Sequence, residues 1–460
     1  MTDTQFSKLN LSPAQLTNLE QLGYSQMTPI QQQSLPLVLD GRDVIAKAKT
    51  GSGKTAAFGI GMLTHINPRD FAAQCLVICP TRELCTQVAV EIRRLARYQQ
   101  NIKVVVLCGG QSIGPQIGSL EHGAHVVVGT PGRLKDHLRK QTLSLERIKT
   151  LVLDEADRML DMGFYEDIET IIQQTPSQRQ TLLFSATYPK EIKSLSSNFQ
   201  RDPVEISVES LHSHTHIEQR MYICDKNQKL DALLCLLANH PVDSAVIFCN
   251  TIIVVKEVCE FLNAQGLSAK ALHGDLEQRD RDQVLVQFSN RSCCLLVATD
   301  VAARGLDIDD LSAVINYDLP RDPEIYIHRI GRTGRAGKEG LALGLFSSSE
   351  KYKLEVIEDY QQSKIAFEAI ESLDTHKEPV CIPAMVTLCI GGGRKDKVRP
   401  GDVLGALTGD AGIDGSAVGK IAITDYSAYV AVERGVANQA KQRLENGKIK
   451  GRKFKVSKLR

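Results

Sequence analysis

Residues 43–55 read DVIAKAKTGSGKT, a short apolar run that leads into a glycine-rich loop and then into a helical stretch. Glycines in such a loop let backbone N–H groups close around phosphate oxygens at the start of a helix. Lys54 can then pair with the β- and γ-phosphates of a nucleotide, and Thr55 can complete the coordination shell of Mg²⁺. The loop departs from the pattern G-x-x-x-x-G-K-T only at Ala48, which replaces the first glycine. We therefore predict that a nucleoside triphosphate is bound by Ala48, Lys49, Thr50, Gly51, Ser52, Gly53, Lys54 and Thr55.

The same succession of an apolar run and a polar motif recurs along the chain. CLVIC runs into PTREL, KVVVLC into GG, HVVVG into TPGR, TLVL into DEAD and TLLF into SAT. After a less regular stretch the pattern resumes, with SAVIFC before NT, AKALH before GD and CLLVA before TDVAARGLD. Such runs are typical of strands covered on both faces in a parallel sheet, where ligands bind beyond the carboxyl ends of the strands. The motifs therefore predict a continuous binding edge.

The last part of the chain has a different pattern. MVTLCI, KIAITD, AYVAVE and KFKVSKL are typical of strands, and RPGDVLGALTG and NQAKQRLENG are typical of helices. Their order, β-α-β-β-α-β, predicts a ferredoxin-like small domain. The predicted fold class is α/β, with two parallel-sheet lobes and a small α+β domain. We assign residues 1–206 to the first lobe, 207–216 to a linker, 217–373 to the second lobe, 374–379 to a linker and 380–460 to the last domain.

Two acidic residues follow the strand that ends in the motif DEAD. Asp154 can hold Mg²⁺, directly or through water, and Glu155 can orient or deprotonate an attacking water molecule. Paired acids after a strand are often only a helix cap, but the lysine loop upstream favours a catalytic role. The two motifs together predict hydrolysis of a nucleoside triphosphate.

The stretch HRIGRTGRAG, residues 328–337, places Arg329, Arg332 and Arg335 among glycines and without an acidic neighbour. Charge that develops on the γ-phosphate needs a cation opposite the lysine, and an arginine from another domain can supply it. We predict that these arginines reach a nucleotide held by the first lobe, with Arg332 and Arg335 in the catalytic role.

Charge is distributed unevenly along the chain, although the net charge is only +1. From Val380 onward there are 15 basic and 7 acidic residues, a net charge of +8, and the final KIKGRKFKVSKLR has seven basic residues and no acid. A basic domain of this kind favours a polyanionic partner over a merely solvated tail. The sequence has no secretion signal, no membrane-length apolar run and no paired C-x-x-C cysteines, which predicts a cytoplasmic protein in a reducing compartment.

The ordered motifs MTPIQ, AKTGSGKT, PTREL, TPGR, DEAD, SAT, ATDVAARGLD and HRIGRTGR resemble those of the DEAD-box RNA helicases over roughly residues 1–370. With its basic C-terminal domain, the chain is similar to the bacterial DbpA subgroup of that family. The resemblance implies two RecA-like lobes, ATP and Mg²⁺ as cofactors, and ATP-dependent, RNA-stimulated local unwinding without travel along the strand.

The resemblance also implies roles for individual residues. Gln31 would read the adenine edge, Tyr24 would stack on that ring, and Phe6 would support the pocket. Asp307 matches a contact to the nucleotide ribose. Ser185 and Thr187 match residues that couple hydrolysis to strand separation through Asp157. RNA-backbone contacts are implied for Thr81, Arg82, Gly109, Gly110, Thr130, Arg133, Thr251, Thr299 and Asp300. Contacts of this kind fix position without reading sequence.

The C-terminal domain resembles an RNA-recognition motif, which stacks bases on aromatic residues of its two central strands. Tyr429 is kept at one such position, whereas Ser427 and Thr387 stand where aromatic residues are usual. RNA binding through the sheet face and through basic loops such as GGGRKDK both stay open. Basic residues of the tail predicted to bind RNA are Lys448, Lys450, Arg452 and Lys453. The subgroup implies a target, hairpin 92 of 23S ribosomal RNA, during assembly of the large ribosomal subunit.

Other functions remain open at this point. A general RNA-remodelling helicase without ribosomal specificity and a DNA helicase share the two-lobe ATPase, and an inactive RNA-binding scaffold would lack turnover. His212, His214 and His216 alternate as metal ligands can, but an extended linker is the better interpretation. No sequence feature determines the oligomeric state, and a monomer fits the chain.

Overall fold

The computed structural model describes residues 4–48, 51–185, 187, 196–208, 217–303, 311–334, 339–409 and 412–459. The chain divides into two compact units, and the second of them holds both the second sheet and the C-terminal sheet. The described strands confirm the predicted fold class, because two parallel seven-stranded sheets are followed by a small antiparallel one.

The first unit is built around a parallel sheet in the order β3-β4-β2-β5-β6-β1-β7. Its strands are β1 (Val44–Lys47), β2 (Cys75–Ile78), β3 (Val104–Leu107), β4 (Val126–Gly129), β5 (Thr150–Asp154), β6 (Gln180–Ser185) and β7 (Val204–Ser207). Its helices are α1 (Pro13–Gln21), α2 (Pro29–Leu39), α3 (Lys54–Thr64), α4 (Arg82–Leu95), α5 (Gly114–Leu120), α6 (Pro131–Arg139), α7 (Ala156–Asp161) and α8 (Tyr165–Ile172).

Apolar side chains alternate across this sheet and fill a core on each face. Val44 and Val77 lie in one core with Phe58 of α3, whereas the neighbouring Ile45 and Leu76 lie in the other. Consecutive residues of a strand point to opposite faces, so a strand covered on both sides must be apolar throughout. This requirement explains why the sequence pattern located β1 to β6.

The seventh strand, β7, was not predicted from the sequence. It pairs with β1 at the edge of the sheet and is buried only in part. Its residues, VEIS, alternate between apolar and polar, because an edge strand has less of its surface covered. The strand also extends one residue past the lobe boundary expected at 206.

The second lobe repeats the architecture in the order β10-β11-β9-β12-β13-β8-β14. Its strands are β8 (Ile217–Ile223), β9 (Ala245–Phe248), β10 (Ala269–Leu272), β11 (Leu295–Ala298), β12 (Ala313–Asn316), β13 (Gly340–Phe346) and β14 (Phe367–Ala369). Its helices are α9 (Lys229–Asn239), α10 (Ile252–Ala264), α11 (Gln278–Ser289), α12 (Asp300–Ala303), α13 (Pro323–Ile330) and α14 (Lys351–Gln361).

The C-terminal domain has the predicted β-α-β-β-α-β order. Its elements are β15 (Met385–Ile390), α15 (Pro400–Thr408), β16 (Val418–Ile423), β17 (Ala428–Glu433), α16 (Ala437–Asn446) and β18 (Val456–Lys458). The antiparallel sheet has the order β16-β17-β15-β18. Leu388, Val430 and Val432 face the two helices and form the core, so the intervening residues of β15 and β17 face the other way.

Candidate functional site

The strand order of the first sheet sorts the polar motifs into two groups. The neighbouring strands β5, β6 and β1 lead into the acidic motif, SAT and the glycine-rich loop. The neighbouring strands β3, β4 and β2 lead into the motifs GG, TPGR and PTREL. Because all strands are parallel, both groups emerge along one edge. Residues predicted to bind nucleotide therefore occupy one half of the edge, and those predicted to bind RNA occupy the other.

The glycine-rich loop between β1 and α3 is held by its own lysine. Lys54 is buried, and its Nζ donates to the carbonyl of Ala48 at 2.9 Å. Gly53 caps α3 with a φ of 94°, in the left-handed region that favours glycine. A Cβ at this position would lie 2.5 Å from Nε2 of Gln31. The loop therefore needs glycine here for both reasons. Lys49 and Thr50 lie outside the described residues.

Gln31 connects the start of α2 to the glycine-rich loop. Its Nε2 donates to the carbonyl of Gly53 at 3.1 Å, and its Oε1 accepts from the N–H of Thr28 at 2.9 Å. The side-chain amide that is predicted to read adenine is thus fixed in orientation beside the phosphate-binding loop.

The two aromatic residues of the predicted adenine pocket also meet. The rings of Phe6 and Tyr24 pack edge to face with centroids 6.1 Å apart, and Phe6 is buried. The Tyr24 hydroxyl donates to Glu91 Oε1 at 2.5 Å. Phe6 therefore supports Tyr24 from one side and Glu91 anchors its hydroxyl, and the role of Tyr24 in binding adenine stays a prediction.

Asp154 ends β5 as a buried carboxylate. Burial raises its pKa to about 6, although the nearby Lys54 acts in the opposite direction. Within the described part of the chain, Asp154 Oδ1 has no hydrogen-bond partner. A buried carboxylate oxygen without a donor, close to Lys54, fits the oxygen ligands that Mg²⁺ prefers. Asp154 can therefore hold this ion, with the Thr55 hydroxyl as the second predicted ligand.

Glu155 follows in a left-handed conformation, with φ 54° and ψ 51°. Its Oε2 accepts from Arg158 Nη1 at 2.7 Å, and both side chains are buried. Non-glycine residues adopt this conformation at a cost, and the Arg158 contact helps to hold Glu155 in it. Arg158 was not singled out from the sequence, although it lies three residues along α7 and so on the same side of that helix.

Asp157 joins the acidic motif to the SAT motif. Its Oδ2 accepts two hydrogen bonds from Thr187, one from the backbone N–H at 2.9 Å and one from the hydroxyl at 3.0 Å. Ser185 Oγ is buried and has no hydrogen-bond partner among the described residues. The expected contact to Asp157 is therefore made by Thr187 and not by Ser185.

The RNA half of the edge centres on Arg82. Its guanidinium lies directly against the glycine pair that follows β3, since a Cβ at Gly110 would come within 1.5 Å of Arg82 Nη1. Gly109 is the next closest, with 3.5 Å between its added Cβ and Arg82 Nη2. Thr81 caps α4 by accepting from the N–H of Leu84 at 3.3 Å. Three predicted RNA contacts from two separate motifs thus meet at one place.

Arg133 lies on the first turn of α6, which begins after Thr130. Its Nη2 donates to the carbonyl of Gln111 at 2.8 Å. Its Nε and Nη1 are buried and have no hydrogen-bond partner in the described ranges. Unsatisfied guanidinium donors are costly to bury and suit a phosphate ligand. The bond from Nη2 to Gln111 fastens the loop after β3 to the TPGR motif.

In the second lobe the arginine run differs from the prediction. Arg329 is only 2 % exposed, and Asp300 binds it with both carboxylate oxygens at 2.7 Å. Further acceptors for its guanidinium are Asn316 Oδ1, the carbonyl of Asp318 and Asn250 Oδ1. The guanidinium also lies over the Phe248 ring at 5.1 Å. The expectation that Arg329 is an unneutralised charge reaching for nucleotide is wrong, because it is the buried hub of this lobe.

The remaining predicted residues of the second lobe divide into two groups. Thr251 caps α10 by accepting from the N–H of Val254, and Thr299 and Asp300 follow β11, the strand beside β9. Arg332 is buried near the end of α13. Arg335 and Asp307 lie outside the described residues, as do His212, His214 and His216.

The sheet face of the C-terminal domain is covered by the second lobe. Thr387 on β15 is fully buried, accepts from Asn290 Nδ2 at 3.1 Å and lies 2.7 Å from Ser292 Oγ. The N–H of Met385 donates to the carbonyl of Arg291, and Lys420 Nζ donates to Ser289 Oγ. These contacts lie at the end of α11 and in the turn after it.

Tyr429 lies on this covered face. It pairs with Cys389 across β17 and β15, and its side chain is 5 % exposed. Burial also raises its pKa. A base cannot stack on a ring that is packed in this way, so the structure contradicts the predicted stacking role of Tyr429 in the docked arrangement. Stacking there would require the domain to leave the second lobe.

The basic residues of the tail remain on the surface. Lys448, Lys450, Arg452 and Lys453 are all exposed. The sequence interpretation missed Tyr426, an exposed aromatic residue in the turn between β16 and β17. A lone aromatic residue between Asp425 and Ser427 in a strand-joining turn was the available signal.

None of the helices in the described residues has the length and apolar character of a membrane span.

Three protein-family models match the chain: the DEAD/DEAH box helicase model over residues 28–195, the helicase conserved C-terminal domain over 225–337, and the DbpA RNA binding domain over 387–458. ATP-dependent RNA helicase DbpA of Escherichia coli K12 is 53% identical over 461 residues, covering 99% of this chain and 100% of that protein. DEAD-box ATP-dependent RNA helicase CshA of Bacillus subtilis is 43% identical, covering 83% of this chain and 75% of that protein. A solved structure of S. cerevisiae Dbp5 bound to RNA and ADP BeF3 matches with a TM-score of 0.73 and 30% identity, covering 80% of this chain and 96% of that one.

Proposed function

The chain belongs to the DEAD-box ATP-dependent RNA helicases of the DbpA type, and we propose that it unwinds RNA locally around hairpin 92 of 23S ribosomal RNA. In this proposal the C-terminal domain brings the helicase core to that region during assembly of the large ribosomal subunit. The ATPase and the RNA helicase activity follow from membership of this family.

Nucleotide is bound and hydrolysed through the half of the edge formed by β1, β6 and β5. Backbone N–H groups of the loop 51–55 and Lys54 bind the phosphates, and Gln31 and Tyr24 bind the base. Asp154 and Thr55 would hold Mg²⁺, which would supply positive charge to the phosphate groups. Glu155, oriented by Arg158, positions the attacking water and takes its proton. Arg332 and Arg335 stabilise charge on the γ-phosphate in the transition state.

Hydrolysis is coupled to RNA through Asp157. This residue lies in the same helix start as Glu155, and its carboxylate holds both polar groups of Thr187. A shift of the acidic motif when the γ-phosphate leaves would therefore be passed to the SAT motif. Both motifs end strands of one sheet, so a small displacement is carried by packed elements.

The helicase core grips RNA without reading its sequence. Arg82, Gly109, Gly110 and Arg133 offer guanidinium and backbone donors, which suit phosphate oxygens. Thr251 and Thr299 offer hydroxyl donors in the second lobe. Both carboxylate oxygens of Asp300 accept from Arg329, so the predicted RNA contact of Asp300 would have to use its backbone. A core of this kind binds many RNAs without selecting among their sequences.

The C-terminal domain selects the RNA target, and its net positive charge is the main support for this proposal. The stretch from residue 380 onward holds a net charge of +8 in a chain whose total is +1. It matches a dedicated RNA-binding domain, and its tail lysines are exposed. A basic, folded module attached to a sequence-blind core is an arrangement that can direct the core to one RNA.

The proposal is tested by ATPase stimulation. We expect a 23S fragment that contains hairpin 92 to stimulate the intact protein at lower concentration than an unrelated RNA of equal length. A chain that ends near Thr375 should respond equally to both RNAs. Equal responses by the intact protein would favour a general RNA-remodelling helicase. Stimulation by the matching DNA fragment would favour a DNA helicase, since only RNA offers 2′-hydroxyls.

We also propose that the protein acts in the cytoplasm as a monomer, since a single chain carries both lobes and the targeting domain. Light scattering with and without RNA would measure the mass in solution. A stable dimer in both conditions would contradict the second part of this proposal.

A further inference from the structure

The sheet face of the C-terminal domain is covered by the second lobe. Tyr429 and Thr387 occupy the positions from which an RNA-recognition motif stacks bases, and both are buried against the second lobe. Stacking on single-stranded RNA contributes strongly to affinity and needs an accessible aromatic ring. In the described residues of the C-terminal domain, Tyr426 is the large aromatic side chain that is exposed, at 64 %.

Tyr426 lies beside a basic loop. The ammonium group of Lys395 lies 4.3 Å from the centroid of its ring and also donates to its hydroxyl. Arg394 and Lys397 of the same loop are exposed. An aromatic ring among cations is the combination that single-stranded nucleic acid prefers, because bases stack on the ring while phosphates meet the charges.

The loop is fastened to the turn that carries Tyr426. The N–H groups of Arg394 and Lys395 donate to the carbonyls of Thr424 at 2.9 Å and Asp425 at 3.0 Å. Gly393 permits this approach, since an added Cβ would lie 2.5 Å from both carbonyl oxygens. The ring and the cations are therefore held in place before RNA arrives, which lowers the entropy cost of binding.

The basic tail reaches the same loop from the other side. Lys450 Nζ donates to the carbonyl of Lys397 at 3.2 Å, and Arg452 Nη1 lies 3.9 Å from Asp396 Oδ1. Two segments about fifty residues apart in the sequence thus form one surface. We call it the Tyr426 patch; it consists of Arg394, Lys395, Lys397, Tyr426, Lys450 and Arg452.

We propose that the Tyr426 patch binds an unpaired RNA base, with the ring of Tyr426 stacked on the base and the surrounding cations on the flanking phosphates. This inference rests on the proposed RNA-targeting function of the domain and assigns it a stacking residue outside the sheet face. The ligand class is an unpaired nucleotide in a loop or junction, because a base inside a duplex cannot leave its stack at low cost.

The test uses the full-length protein and two labelled RNAs, a hairpin with an unpaired loop and a blunt duplex with the same stem. Fluorescence anisotropy gives Kd for each over a range of salt concentrations. Tyr426→Ala should raise Kd for the hairpin on the order of 5- to 150-fold with an unchanged salt slope, and leave Kd for the duplex unchanged. Tyr426→Phe should bind like the unaltered protein, because the ring is kept.

Two controls separate stacking from other causes. Tyr352→Ala removes a tyrosine that is 59 % exposed on α14 and should leave both Kd values unchanged. Lys395→Gln should lower the salt slope by about 0.7, the value for one phosphate contact on a single strand. An unchanged hairpin Kd in Tyr426→Ala would overturn the inference, while preferential stimulation of the ATPase by the 23S fragment keeps the proposed function intact. Equal stimulation of the unaltered protein by the 23S fragment and an unrelated RNA would overturn the proposed function itself.

Discussion

The helicase motifs and the sheet face of the C-terminal domain show two ways in which strands present side chains. In the first lobe, the predicted functional groups lie at the strand ends: Asp154 ends β5, and Thr187 and Arg82 follow β6 and β2 along one edge. In the C-terminal domain the face of the sheet carries small and aromatic side chains such as Thr387 and Tyr429, and the second lobe covers it.

The difference follows from what each surface is made of. The carboxyl ends of the strands lead into polar loops, whose hydrogen bonds must be satisfied by water or a ligand. A sheet face with little polarity is instead stabilised when another domain covers it. We infer that changes to motif residues predicted to meet a ligand should mainly alter rates. Changes on the covered face should alter stability and leave RNA binding intact.

The largest effect is expected from Arg332→Ala. Loss of an arginine that stabilises charge on the γ-phosphate should lower RNA-stimulated ATPase about 10³-fold. Nucleotide affinity, measured with a fluorescent ATP analogue, should be largely retained, because Lys54 and the glycine-rich loop remain.

Arg329→Ala is the contrasting variant. It leaves Asp300 without its partner and should destabilise the second lobe by about 3–5 kcal/mol in urea unfolding. Equal melting temperatures for the two variants would contradict this contrast.

Glu155→Gln is expected to have the next largest effect. The amide cannot accept the proton of the attacking water, so turnover should fall by on the order of a hundredfold or more. ATP and RNA binding, measured separately by equilibrium titration, should be unchanged. Near-normal turnover would remove Glu155 from the catalytic role. Glu169→Gln, on α8 and away from the motifs, is the matched control and should behave like the unaltered protein.

A smaller effect is expected from the basic tail. Neutralising Lys448, Lys450, Arg452 and Lys453 together should weaken RNA binding by on the order of tenfold at physiological salt. It should also lower the salt slope by about 0.7 for each RNA phosphate that the tail no longer binds. ATPase activity at saturating RNA should be unchanged, because the proposed RNA-binding residues of the core are unaltered. An unchanged slope would show that these charges do not meet phosphates.

Much of the motif edge could be predicted from the sequence, because the signals are local. Lys54, Asp154 and Glu155 each follow an apolar run that only a doubly covered strand explains, and the order of the sheet then brings them to one edge. β7 escaped notice because edge strands lack such a run.

The errors concern burial by distant parts of the chain. Arg329 looks like an exposed cation in its own segment, and its acceptors Asp300 and Asn316 come from the start of α12 and the end of β12. Tyr429 alternates as a face residue should, and nothing near it in the sequence shows that α11 covers this face. A pattern can assign a residue to a face, but whether another domain packs there depends on long-range contacts.

Thr387→Val gives the smallest expected effect and tests the covered face most directly. The Thr387 hydroxyl lies in a chain of hydrogen bonds in which Asn290 Nδ2 donates to it and Ser292 Oγ donates to the carbonyl of Gln287. Because the Ser292 hydroxyl hydrogen is used in that bond, Ser292 Oγ accepts from the Thr387 hydroxyl at 2.7 Å. Valine has the same shape but no hydroxyl, so Asn290 loses its acceptor at a cost of ~1 kcal/mol. Urea unfolding should show this loss, and combining the change with Asn290→Ala should cost less than the sum of the two, because both remove one interaction. RNA affinity should stay unchanged, and a drop in hairpin affinity would return the sheet face to the RNA-binding surface.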